Sequence, residues 1–332
     1  MPDLDAPRKP RRAWLIAPFV LVLIGFVGLS AWWFYMRGQI ETGLDQLARG
    51  GKGYAVAFHS RAVGGYPFRF EVTLDQPRFT EPSGWGLAAP RLDLVSSVFD
   101  PNHAVVVAPR GVVLSRPGKG AVAIDGQVLR ASAGGLTTRP RFDVEARGVT
   151  IRPVEGGQPM PFASADVFEL HLRPEAGDTD RLFFGLQGAL PTPGGPMARV
   201  TDAKSNLQLE AVLSQAHALA GRDWPSLLRN WQAAGGEMKV TRSQAQVGQA
   251  VLSADGSTLG LDPQGRLHGK LDLRLQDGPS AMMALGAAGV LPPDTAAVGA
   301  GLAPRQAKFA LRFRDGQTMV GPLPIGKAPS LY

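Results

Sequence analysis

The sequence predicts a mainly β protein, a β-rich α+β chain. One N-terminal transmembrane helix leads into an elongated, curved, mostly antiparallel sheet with a few short helices. Three observations predict it. Residues 13–35 form an apolar run without a charge. Period-two alternation of apolar and polar residues recurs along much of the remaining chain. Short turn signals containing glycine separate the alternating runs.

The run at 13–35, AWLIAPFVLVLIGFVGLSAWWFY, has 23 residues. As a helix it spans about 35 Å, enough for a hydrocarbon core of about 30 Å with some tilt. Trp14 marks one end, and Trp32, Trp33, Phe34 and Tyr35 mark the other, as aromatic rings do at headgroup level. Pro18 sits in the first turns, where a missing N–H costs least. Arg8, Lys9, Arg11 and Arg12 crowd the N-terminal flank, against Arg37 close by on the other side. That asymmetry places the N-terminus in the cytoplasm. A cleaved signal peptide is the rival reading. It calls for a shorter apolar core and a small-residue cleavage site, whereas this run ends in bulky aromatics.

The expected organisation is a basic cytoplasmic tail at 1–12, an anchor at 13–35, a short helix and linker at 36–53, and a β-rich periplasmic domain at 54–332. Gly50, Gly51 and Gly53 stop the helix that leaves the membrane. Residues 191–196, PTPGGP, are a candidate sub-boundary. The chain of 332 residues is long enough to bury a core, and its 44% hydrophobic content excludes a disordered chain.

The clearest strand is PFRFEVTLDQP at 67–77. Phe68, Phe70, Val72 and Leu74 alternate with Arg69, Glu71, Thr73 and Asp75, giving one dry face and one wet face. The same alternation recurs around Leu92 and Leu94; Phe142, Val144 and Ala146; Phe168, Leu170 and Leu172; Leu271, Leu273 and Leu275; and Phe309, Leu311 and Phe313. Shorter β-branched runs lie at 105–107 and 112–114. Asp125-Gly126, Gly156-Gly157, Asp255-Gly256, Pro263-Gln264-Gly265, Asp277-Gly278 and Asp315-Gly316 read as hairpin turns. Residues 224–234, WPSLLRNWQAA, carry Trp224, Leu227, Leu228 and Trp231 at helical spacing, with Asp223 as N-cap and Gly235-Gly236 as the stop. Further helices are expected at 209–220, 280–288 and 296–302.

Four features occur in one order: the anchor; VGGYPFRF at 63–70; WQAAGGEMKV at 231–240 with LDPQGRLHGKLDLRL at 261–275; and DGQTMVGPLPIGKAP at 315–329. Together they resemble an uncharacterised bacterial family, domain of unknown function twenty-one twenty-five. The resemblance implies architecture rather than chemistry. More loosely, an anchor followed by one-faced strands looks like the AsmA-like envelope proteins, which are associated with lipid transport or outer-membrane assembly.

No constellation of residues points to catalysis, so the chain is read as not being an enzyme, with no catalytic residue, cofactor or metal. With no cysteine, disulfides, a thiol nucleophile and cysteine zinc sites are excluded. The five histidines, at 59, 103, 171, 217 and 268, have no metal-ligand spacing, and no GxSxG elbow occurs. GPLPIGKA at 321–328 approaches a P-loop. It lacks the Ser or Thr that holds Mg²⁺, and two prolines remove backbone donors. Gly64-Gly65-Tyr66-Pro67 reads as a strand-entry turn, with an aromatic before proline favouring a cis bond. Of the net charge of +7, four cations against Asp3 and Asp5 place +2 in the first twelve residues. The rest is scattered, so nucleic acid is not an expected partner.

Many one-faced strands with few amphipathic helices to cover them imply an open apolar groove that suits an acyl chain. Its candidate residues are Phe68, Phe70, Val72 and Leu74. The expected function is lipid binding or transfer in the envelope. The alternative is a structural or assembly factor that docks other envelope proteins and takes no small-molecule ligand.

Overall fold

The computed structural model describes residues 13–50, 54–135, 139–195, 197–199, 201–247, 250–287 and 293–332. The basic tail 1–12, with Arg8, Lys9, Arg11 and Arg12, lies outside the described residues, as do Gly51, Gly53, Pro196 and Ala288.

The apolar run belongs to α1 (Ala13–Ala48), a helix of 36 residues that is about 54 Å long at ~1.5 Å per residue. It is long and apolar enough to cross a membrane. It does not stop where the apolar run stops. The following segment continues the same helix to Ala48 and lies against the sheet, where Arg61 Nη2 donates to Asp45 Oδ2 at 2.8 Å.

The sheet is an antiparallel meander in which most early strands are broken in two. β1 (Ala55–Ala57) and β2 (Ser60–Gly64) lie end to end along β3 (Arg69–Asp75) and β4 (Arg78–Thr80), β1 on β4 and β2 on β3. The next rows are β5 (Gly86–Ala88) with β6 (Arg91–Ser97), β7 (Asp100–Val107) with β8 (Val112–Arg116), and β9 (Gly120–Asp125) with β10 (Val128–Gly134). β9 and β10 share one long neighbour, β11 (Arg141–Pro153). Then β12 (Phe162–Pro174), β13 (Thr179–Pro191), β14 (Ser205–Ser214) and β15 (Met238–Val247) follow in sequence order. β16 (Ala250–Ala254) and β17 (Ser257–Leu261) again lie end to end, between β15 and β18 (Leu267–Gln276). β19 (Gln306–Arg314), β20 (Gln317–Val320) and β21 (Leu323–Lys327) complete the meander. Because β13 pairs with β14 across 191–196, one sheet continues through the candidate sub-boundary.

The breaks line up across the sheet. Gln76 donates to Pro90 O at the break in one row, and Gln127 donates to Arg147 O at the break in another. The line continues through Gly148 in β11 and Gly188 in β13, both with positive φ. Glycine suits position 188: a Cβ there would displace the Asp166 side chain and sit on a left-handed backbone that side chains disfavour. Bulges of this kind bend strands and increase twist, so a line of them curves the sheet. The curl brings the β4–β5 turn to the far part of the chain, where Glu81 Oε2 accepts the Trp224 N–H at 3.3 Å.

Several readings of the sequence are corrected or confirmed by this topology. The helix expected at 209–220 is instead the end of β14, followed by a single 3-10 turn at Ala216–Ala218. Leu209 and Leu213 fit a helical spacing and a strand spacing equally. The alternation of Leu207, Leu209, Ala211 and Leu213 is what the β13 and β15 neighbours select. Asp125-Gly126 and Asp255-Gly256 are not hairpin turns but breaks between collinear strands, and Asp277-Gly278 leads into a helix. Gly156-Gly157, Pro263-Gln264-Gly265 and Asp315-Gly316 do turn hairpins.

Three further helices fill connections: α2 (Trp224–Ala233) between β14 and β15, and α3 (Gly278–Ala287) with α4 (Pro293–Leu302) between β18 and β19. α2 starts as expected. Asp223 Oδ1 accepts the Ser226 N–H at 2.7 Å, and Ser226 Oγ accepts the Asp223 N–H at 3.0 Å.

Phe70, Val72 and Leu74 are buried on β3, with Phe70 only 3% exposed, whereas Phe68 lies just before the strand and is 59% exposed. Phe70 stacks on Trp33 of α1, ring centroids 5.8 Å apart, and Val98, Leu29, Met36 and Ile40 close around the pair. Phe70→Ala is expected to cost about 3–5 kcal/mol through the cavity it leaves. Phe68→Ala should stay within about 0.5 kcal/mol, as exposed sites do. Thermal unfolding of the two variants checks the contrast; equal losses would contradict the placement.

Candidate functional site

An apolar cavity of about 480 Å³ opens between the sheet and α2. This is within the range of about 300–1,000 Å³ usual for small-molecule sites. One wall is the β11–β13 surface, with Phe142 and Val144 on β11, Leu170 and Leu172 on β12, and Leu182 on β13. These residues share a face because period-two alternation on β11 and β12 is in register, Phe142 opposite Leu172 and Val144 opposite Leu170. The facing wall is α2, which presents Trp224, Leu227, Leu228 and Trp231 at 3.6-residue spacing. Leu213, Met238, Leu259, Leu261 and Leu267 form the floor.

Hydrogen bonds fix the α2 wall. Trp231 Nε1 donates to Ser214 O at 2.7 Å, and Trp224 Nε1 donates to Leu331 O at 2.7 Å. The indole polar atoms are thereby satisfied by backbone carbonyls, which leaves the apolar ring surfaces for the cavity. Leu228 and Trp231 are buried, but Trp224 remains 42% exposed and Phe142 44% exposed. The cavity is therefore open to its surroundings on one side.

None of Phe68, Phe70, Val72 and Leu74 lines this cavity. The α1 helix covers that part of the sheet, and the apolar face left partly uncovered lies further along the chain. The alternating residues of β11 and β12 were visible as strand faces. That α2 stands over them was not. Leu182 on β13 escaped the alternation signal because Leu182-Phe183-Phe184 is apolar on both faces.

A second recess, of about 490 Å³, lies over β18 and β19 and is lined by Asp255, Asp272, Arg274 and Lys308 among others. Both of its carboxylates are paired, Asp255 with Arg274 at 3.0 Å and Asp272 with the neighbouring Lys270 at 2.7 Å. Among the described residues no three His, Asp or Glu side chains gather as metal ligands. The segment resembling a P-loop is extended: its Leu323–Lys327 part is the edge strand β21, not a phosphate-cradling loop before a helix.

On the outer face of β11, behind the cavity wall, charges tie the strands together. Glu145 accepts from Arg130 Nε at 2.9 Å and from Arg147 Nε at 2.8 Å. Asp143 Oδ1 accepts from Arg173 Nη2 at 2.8 Å and lies 2.6 Å from His171 Nδ1. Burial pushes the Asp143 carboxyl up, but the bonds from Arg173 and His171 outweigh it and hold the carboxyl below its usual range.

A family model described as uncharacterized protein conserved in bacteria (DUF2125) matches residues 33–329. The match begins at Trp33, the α1 residue that packs on Phe70. No curated protein and no solved structure matches the chain, so the looser AsmA-like likeness rests on architecture alone.

A carboxyl whose pKa is depressed by folding stabilises the fold above its unfolded pKa. That contribution is lost as pH falls through the depressed value. Asp143→Asn is therefore expected to lower the thermal midpoint at neutral pH and to converge with the parent protein in acid. Midpoints measured across pH check this; a deficit equal at both ends would show that the ionised carboxylate is not the stabilising species.

Proposed function

The chain belongs to the DUF2125 family of uncharacterised bacterial proteins; from that premise we propose that it is a single-pass protein of the bacterial inner membrane that binds or passes an acyl-chain lipid in the cavity beside α2. In this reading α1 spans the cytoplasmic membrane with its N-terminus in the cytoplasm, and the sheet stands in the periplasm. The observation that carries the lipid reading is an open cavity walled by apolar side chains on both the sheet and the helix, on a chain whose long N-terminal helix suits a bilayer. The reading needs no cofactor and no catalytic group, because the cavity offers shape and apolar surface rather than polar groups aimed at a reacting atom.

The alternative, docking of another envelope protein by strand addition, meets edges that are covered or blunted. α1 lies along the β1–β2 edge through the Asp45–Arg61 pair, and β21 carries Pro324 and Lys327. Proline and lysine on an edge resist strand addition.

Two experiments test this reading. A phosphatase active only after export, fused after Tyr332, is expected to be active in cells, and an inactive fusion would overturn the orientation. For the ligand, the full chain is placed in vesicles that contain a phospholipid with a photoactivatable acyl chain, and crosslinked peptides are mapped. Adducts are expected on β11, β12 and α2 as well as on α1. Phe142→Glu places a carboxylate on the open wall, where it stays hydrated, so this variant should fold, keep its α1 adducts and lose those in the cavity. Adducts confined to α1 in the parent protein would overturn the lipid reading.

A further inference from the structure

We propose that two strand turns at the end of the sheet nearest α1, carrying Tyr66, Phe68 and Phe99, are immersed in the outer boundary of the bilayer that α1 crosses. The inference rests on the reading of α1 as a membrane anchor, and it concerns a surface separate from the cavity beside α2.

The depth argument starts from α1. The charge-free run begins at Ala13, and twenty helical residues fill a hydrocarbon core of about 30 Å. The outer boundary of that core therefore falls near Trp32, with Phe26 and Ser30 inside it. Tyr66, in the β2–β3 turn, reaches both residues. Its hydroxyl lies 2.8 Å from Ser30 Oγ, and its ring packs edge-on against Phe26 with centroids 6.3 Å apart. The Tyr66 ring also contacts Trp33 and Phe34. The turn between β2 and β3 is thus held at or below the level at which lipid headgroups meet acyl chains.

The neighbouring turn, between β6 and β7, is held at the same level, because Val98 N–H donates to Phe68 O at 3.1 Å and Val98 packs against Trp33 and Phe70. Phe68 and Phe99, the latter 76% exposed, project from these two turns beside the anchor. Large exposed aromatics at the end of a folded domain would be unfavourable in water but suit the bilayer interface. The patch is also continuous with the lipid-facing surface of α1.

Backbone in an apolar medium has to satisfy its own polar groups, and these turns do much of that internally. Arg69 N–H donates to Gly65 O at 3.1 Å, and Phe99 N–H donates to Ser97 Oγ at 3.1 Å. Ser30 Oγ donates to Phe26 O at 2.7 Å, and Trp33 Nε1 donates to Arg69 O at 2.9 Å. The charged neighbours sit where headgroups are expected. Arg69 pairs with Glu71, Arg37 pairs with Glu41 one turn above Trp33, and Asp100 follows Phe99 at the start of β7. The end of the sheet then rests on the membrane at three points, the helix and two turns.

The chain has no cysteine, so single cysteines report single positions. Phe68→Cys, Phe99→Cys, Val22→Cys and Thr80→Cys are each labelled with nitrobenzoxadiazole in the full chain. The labelled proteins are reconstituted in vesicles of phosphatidylethanolamine and phosphatidylglycerol that contain doxyl phospholipids. Val22 lies mid-span in α1, and Thr80 lies at the far end of the β3–β4 row. Labels at Phe68 and Phe99 are expected to lose about half or more of their emission to shallow-chain doxyl groups, as interfacial side chains do, while Thr80 is unaffected. Val22 is expected to be quenched by mid-chain doxyl groups. Quenching at Val22 with none at Phe68 and Phe99 would overturn the immersion of the turns and leave the anchor standing. No quenching at Val22 would overturn the anchor reading, and this inference with it.

Discussion

The packing of Trp33 on Phe70 is the contact on which the rest of the arrangement depends. Trp33 is buried although it belongs to a helix whose other apolar residues are mostly exposed. Its indole N–H is satisfied by Arg69 O, and its ring is stacked on the first residue of β3 that points inward. Burying two aromatic rings together supplies a large apolar area and a preferred geometry. A helix held that way is not a tether followed by a free domain. It extends past the apolar run as far as Ala48 and is tied again through Asp45 and Arg61. The long apolar helix thereby becomes a structural cover for the first strands.

That cover decides where apolar surface is left over. The sheet has a dry face along most of its length, and a dry face needs something packed on it. α1 serves the first strands, and the β11–β13 surface builds its own cluster around Ala146, Val149, Leu186 and Ala189. Beyond it, α2 is the amphipathic helix that meets the sheet. Its ten residues are short against the width of the surface, and Phe142 and Trp224 are left partly bare on opposite walls of a cavity. An elongated meander with short helices leaves such space because each connection covers only its own neighbourhood.

Curvature comes from the broken strands. In a flat sheet a long apolar face would be continuous and exposed. Here the breaks between collinear strands, with Gly148 and Gly188 continuing the line, bend the surface, and the β4–β5 turn comes within reach of α2. The outer face stays hydrated and is cross-braced by pairs such as Arg130–Glu145 and Arg173–Asp143. Such pairs contribute modestly one at a time, and their role is to keep the register that points Phe142, Val144, Leu170 and Leu172 inward.

The sequence by itself determined the long apolar helix, the strand faces and the amphipathic helix. Each is a local periodicity: twenty-three residues without charge, alternation with period two, and Trp224, Leu227, Leu228 and Trp231 at helical spacing. It also determined the capping of α2, since Asp223 and Ser226 are three residues apart. What covers each face was a tertiary matter. Phe70 and Phe142 both belong to alternating runs, and nothing local distinguishes them. One is sealed because the first strands fold back against α1, and the other stays open because α2 is too short to reach across. Whether Asp-Gly turned a hairpin or broke a strand was decided the same way. At Asp315-Gly316 the chain reverses onto β19, while at Asp125-Gly126 it runs on along β11. Local turn chemistry permits both, and only the neighbouring strand, with its hydrogen bonds to satisfy, selects one.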